Sequence, residues 1–225
     1  MELREQTRDA LAEAINIAFA RTAASLSTLT GNHVELDVPR VRITPIDGVV
    51  DALADFASDE VASVLQPFTG PVSGDALLVL SYAGAVRLAD LVADEPTSSS
   101  QLTESSREVL TEIGNILLNS CLGVFGNLLE LHVTFAVPRL FVELLAELVG
   151  ALIAENPELK YALVIHTGFR LRSERVSGYL VMILGVGSIT RLIEAVDRWE
   201  ASSDGTSMDE ARDDGMATPD ESTRR

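Results

Sequence analysis

The sequence predicts an α+β fold made from a duplicated unit of helix, strand, helix and hairpin. A four-position pattern occurs twice at a constant offset of 99 residues: Asp9, Glu13, Asn16 and Pro39 in the first half, Glu108, Glu112, Asn115 and Pro138 in the second. The elements around the two copies follow in the same order. The closing segments match as well, residues 73–80 with 177–184 and Arg87-Leu88 with Arg191-Leu192. Their offset is 104, which places a net five-residue insertion between Pro138 and Ser177. Agreement at four positions in two copies makes internal duplication the economical reading.

Residues 3–29 read as one helix, because Leu11, Ile15, Ala18, Thr22 and Leu26 recur at helical spacing with no intervening proline. Gly31-Asn32 ends it. Val34, Leu36 and Val38 alternate with Glu35 and Asp37, the period of a half-buried strand. Pro39 belongs at an edge or bulge of that sheet. Residues 47–57 form a short amphipathic helix, 61–68 and 76–82 a hairpin, and 83–93 a helix that closes the half. The second half repeats this order: helix 105–122, a strand near 131–137, an apolar helix 140–154, a hairpin over 161–184 and a last helix at about 188–199. Residues 1–200 are therefore expected to be one domain of two repeats, about 1–95 and 105–200, with a Ser/Thr-rich linker at 94–106. From 201 to 225 apolar residues give way to Ser, Asp, Gly and Thr, and a disordered acidic tail is expected.

Hydrophobic residues make up 47% of the 225 and charged residues 23%, ordinary for a folded domain. A net charge of -17 argues against nucleic-acid and anionic-membrane binding, both of which reward Lys and Arg, and suits a basic protein partner better. Cys121 is the sole cysteine, so no internal disulfide can form, and a reducing cytoplasm is expected. The N-terminal residues lack the apolar core of a signal peptide. The richest apolar stretch, 140–154, is broken by Glu143 and Glu147, so membrane insertion is not expected. His33, His132 and His166 show no ligand spacing, and neither a metal nor a cofactor site is expected. Cys121 belongs to a buried helix face, Trp199 packs the last helix, and Gly74 and Gly178 read as turn residues.

The repeated motif carries the chemistry. With successive residues about 100° apart around a helix, Asp9, Glu13, Asn16 and Ala20 fall on one stripe opposite Leu11. Glu108, Glu112, Asn115 and Asn119 fall on the same stripe opposite Leu110, leaving Gly114, Leu117 and Cys121 on the buried side. A single Glu-x-x-Asn is most often a solvated face. Asn is a poor helix former, however, and solvation alone gives no reason to keep it at the same place in both copies. The pair offers no covalent nucleophile and no metal cluster. An amide can donate and accept hydrogen bonds, and in phosphoryl transfer an amide side chain orients the attacking water. Such a site would work when pressed into a partner that already holds a phosphoryl group and its metal. The duplicated proline reads as a structural bend after the strand.

The doubled pattern Asp/Ser-x3-Glu-x2-Asn-x22-Pro resembles the CheC family of chemotaxis phosphatases, related to CheX and FliY, over about residues 1–200. The resemblance implies a pseudo-two-fold fold, with two motif helices displayed on the surface of a mostly antiparallel sheet. It implies hydrolysis of the aspartyl phosphate of a response regulator such as phosphorylated CheY. Asn16 and Asn115 would orient the attacking water, and Glu13 and Glu112 would pair with the regulator's lysine. Magnesium would belong to the regulator, so the chain would need no cofactor of its own. Asp9 matches the first motif position, whereas Glu108 stands where the family has Asp or Ser. Two non-catalytic readings stay open: an adaptor that binds and regulates the receptor deamidase CheD, and a flagellar-switch role as in FliY. Against the second stands the lack of a separate switch-binding domain after residue 200.

Overall fold

The computed structural model describes residues 3–30, 33–53, 60–93, 101–171 and 174–213. The first repeat comprises α1 (Glu5–Thr30), β1 (Val34–Leu36), β2 (Arg40–Pro45), α2 (Val49–Ala52), β3 (Glu60–Thr69), β4 (Gly74–Ser81) and α3 (Tyr82–Ala93). The second comprises α4 (Glu104–Leu128), β5 (Thr134–Phe135), β6 (Arg139–Leu144), α5 (Leu145–Glu155), β7 (Leu159–Leu171), β8 (Glu174–Gly185) and α6 (Val186–Asp213). All eight strands join one sheet, and every pairing among the described residues is antiparallel. The repeats meet where β4 pairs β8, from Gly74 opposite Leu184 to Leu80 opposite Gly178. Each hairpin then reaches into the other repeat's territory: β7 pairs β1 and β2, and β3 pairs β5 and β6.

The central strands are apolar on both faces because both faces are covered. Ala76, Leu78 and Leu80 of β4 join a core with α1, α3, α4 and α6. Leu77 and Val79, alternating with them, join a second core with α2 and α5. The architecture is α+β in three layers, with α1 and α4 side by side on one face.

Several elements differ from the sequence expectation. Strand β2 was not expected, and residues 140–144, expected to open a helix, pair with β3 as β6. The run Leu140-Phe141-Val142 is aromatic and β-branched, and β3 offers it an edge; periodicity does not separate a short apolar strand from a buried helix turn. Val38 lies beyond the end of β1 and is exposed. Gly74 and Gly178 lie in strands rather than turns. A Cβ at Gly74 would stand 2.1 Å from the Ile183 carbonyl oxygen, so the residue permits close strand approach.

Within the expected linker, α4 already begins at Glu104, where the Thr103 hydroxyl accepts the Ser106 amide hydrogen at 3.1 Å; 94–100 lie outside the described residues. The backbone of 201–213, expected to be disordered, continues α6, since extending a helix anchored by Ile189, Leu192 and Val196 is far easier than nucleating one. Residues 214–225 lie outside the described residues. Helix α4 is long and apolar enough to cross a membrane by length and composition, but half of that window is buried in the fold.

Candidate functional site

Helices α1 and α4 display the motif because their other faces are committed to the core. Leu11, Ala14, Ile15 and Ala18 are buried under α1, and Leu110, Ile113, Leu117 and Cys121 under α4. Glu13 and Glu112 are exposed, and Asn16 and Asn115, one turn further on, are half-buried. Asp9 and Glu108 are exposed one turn before the glutamates, with Asp9 lying 3.7 Å from the Arg8 guanidinium. Each repeat thus sets carboxylate, carboxylate and amide on one face, and the two sets stand on separate helices.

The prolines lie in the links β1–β2 and β5–β6. Each link is tied back to the sheet in the same way: Asp37 N–H donates to the Gly168 carbonyl at 2.9 Å, and Ala136 N–H to the Pro67 carbonyl at 2.9 Å. Pro39 is buried and Pro138 half-buried. The residue before each proline is pushed outward, leaving Val38 79% and Val137 83% exposed.

A residue that spacing did not reveal lies beneath the second site. Gln66, a polar residue in the apolar run of β3, donates from Nε2 to Asn115 Oδ1 at 3.2 Å and to the Ala136 carbonyl at 3.0 Å. Asn119 Nδ2 donates to the same Asn115 oxygen at 2.7 Å. Gln66 therefore links the motif helix to the link that carries Pro138. The only hint in sequence is a long amide side chain inside a largely apolar strand.

Cys121 is not a reactive group, since burial pushes its thiol up to about 12 from 9.0. Among the described residues no group of three or more His, Cys, Asp or Glu is arranged to hold a metal ion. His33 lies 3.1 Å from Glu35, and the His166 ring packs tilted against Tyr179 with ring centroids 4.6 Å apart.

Fold and site together define a duplicated α+β protein that displays a Glu/Asn pair on each of two helices. No family model matches the chain. Among curated proteins it is 22% identical over 200 residues to the CheY-P phosphatase CheC of Bacillus subtilis, covering 86% of this chain and 95% of that one. It is 31% identical over 146 residues to the flagellar motor switch phosphatase FliY of the same organism, covering 64% of this chain but 37% of FliY. Among solved structures, FliY of Thermotoga maritima superposes with a TM-score of 0.71 at 21% identity, covering 88% of this chain and all of that one. The chain is thus similar in sequence to CheC and FliY of Bacillus subtilis and shares the fold of Thermotoga maritima FliY.

Proposed function

We propose that this protein is a phosphatase that hydrolyses the aspartyl phosphate of a CheY-like response regulator. The observation that carries the reading is the repetition of an exposed Glu and a half-buried Asn, one turn apart, on α1 and again on α4. The similarity to CheC and FliY, both named as phosphatases, supports it.

Asn16 and Asn115 orient a water against the phosphorus held by the regulator. Water adds to phosphorus, the bond to the aspartate oxygen breaks, and the carboxylate leaves with the electron pair while phosphate keeps the new oxygen. Glu13 and Glu112 dock against a lysine of the regulator. The magnesium ion that offsets the developing charge belongs to the regulator, and the chain needs no cofactor of its own. Asp9, Glu108, Pro39 and Pro138 support this arrangement without touching the reacting atoms.

The test is the decay of a phosphorylated chemotaxis regulator. Addition of the protein accelerates decay, either Asn16→Ala or Asn115→Ala leaves part of that acceleration, and the double variant returns the rate to the regulator's own. Unchanged decay with the wild-type protein would turn the assignment to an adaptor role, with CheD as the partner to examine.

A further inference from the structure

The two asparagines are held differently. Both lone pairs of Asn115 Oδ1 are engaged, one by Gln66 Nε2 at 3.2 Å and one by Asn119 Nδ2 at 2.7 Å. That fixes the plane of the Asn115 amide and leaves its Nδ2 hydrogens as the free end. In the first repeat Ala20 stands where the second has Asn119. Thr167 stands where the other repeat has Gln66: its hydroxyl donates to the Asp37 carbonyl at 3.1 Å, as Gln66 donates to the Ala136 carbonyl at 3.0 Å. Threonine holds the link and is too short to do more. Among the described residues Asn16 has no hydrogen-bond partner.

We infer that Gln66 is a positioning residue for Asn115, so that the second site works with a pre-oriented amide and the first with a free one. This rests on the phosphatase reading. Gln66 is 1% exposed, and its Oε1 has no hydrogen-bond partner among the described residues. A buried acceptor left unpaired weakens a fold, and Thr167 ties the equivalent link without that penalty. What Gln66 adds over threonine is the second N–H, and that hydrogen goes to Asn115. The approach is made possible by the neighbouring Gly114, where a Cβ would stand 2.6 Å from the Val64 side chain. Alpha4 therefore lies close enough to β3 for Asn115 to meet Gln66. Alpha1 has Ile15 in that place.

An amide already held in one rotamer loses less freedom when it meets the phosphoryl group, which for one short side chain is worth about fivefold in rate. Gln66→Thr copies the first repeat, keeping a hydroxyl for the Ala136 carbonyl while releasing Asn115. Each site is isolated by disabling the other. In the Asn16→Ala protein, Gln66→Thr lowers kcat about fivefold and leaves KM unchanged, because Glu112 still docks. In the Asn115→Ala protein the same substitution loses its effect. An equal loss in both backgrounds, or none in either, overturns the inference. A second measurement stands apart from activity: the order parameter of the Asn115 side-chain amide, read by 15N relaxation, falls on Gln66→Thr. An unchanged value overturns the inference even if the rates shift. If the wild-type protein leaves regulator decay unaltered, the phosphatase reading fails, and the relaxation result alone decides whether Gln66 holds Asn115.

Discussion

Gly114 shows how one absent methyl group can set the depth of a helix. A Cβ at this position would lie 2.6 Å from Val64 Cβ and 2.6 and 2.7 Å from its two methyl groups, closer than packed carbons tolerate. Gly114→Ala therefore forces α4 away from β3 or displaces Val64. Overpacking of this kind costs about 1–3 kcal/mol, against the smaller gain in helix propensity that alanine brings. We expect a lower urea midpoint with an unchanged m-value, together with a smaller contribution of the Glu112/Asn115 pair to the proposed activity; a more stable variant would show that the gap closes without strain. That each glutamate shares a helix face with its asparagine is legible in sequence, because their spacing lies within one helix, where the 3.6-residue period fixes which side chains share a face. Gln66 is not, because it lies 49 residues from Asn115 and meets it only through strand register and helix depth.

At the scale of elements, long helices and the two hairpins could be read from periodicity, while β2 and β6 could not. Both are edge strands that pair with the other repeat's hairpin, a non-local partner that no local pattern announces. The start of β4 carries a second consequence of these pairings. Asp75 feels the charges of the β6 residue Arg139 and the α5 residue Glu155. Burial pushes its carboxyl above the ordinary 3.8, Arg139 draws it partly back, and Glu155 adds to the rise. A carboxyl raised in the folded state contributes its stability below the unfolded value and loses it as pH climbs through the folded one. At neutral pH the ionised Asp75 therefore weakens the fold. Asp75→Asn should raise Tm at pH 7, and the advantage should vanish at about pH 3, where the wild-type carboxyl is itself protonated. A variant less stable than wild type at neutral pH would mean that the Arg139 attraction outweighs desolvation.

At the scale of the whole molecule, the repeats are merged rather than tethered. The seam is the β4–β8 pairing, seven residue pairs from Gly74–Leu184 to Leu80–Gly178, and the helix-side core draws Leu11, Ile15 and Leu78 from the first repeat and Leu110, Leu117 and Leu180 from the second. Each repeat also lends its hairpin an edge partner from the other: β7 carries β1 and β2, and β3 carries β5 and β6. A half taken alone would expose the apolar edge of β4 or β8 and one side of the shared core, and open strand edges of that kind aggregate. The chain should therefore unfold as one unit, although duplication gives it two motif sites. We expect a single calorimetric transition with calorimetric and van't Hoff enthalpies in agreement, and no soluble folded product from residues 1–100 expressed alone. Two resolved transitions would mean that the seam is weaker than either half, and that each Glu/Asn pair can keep its geometry on an independently folded repeat.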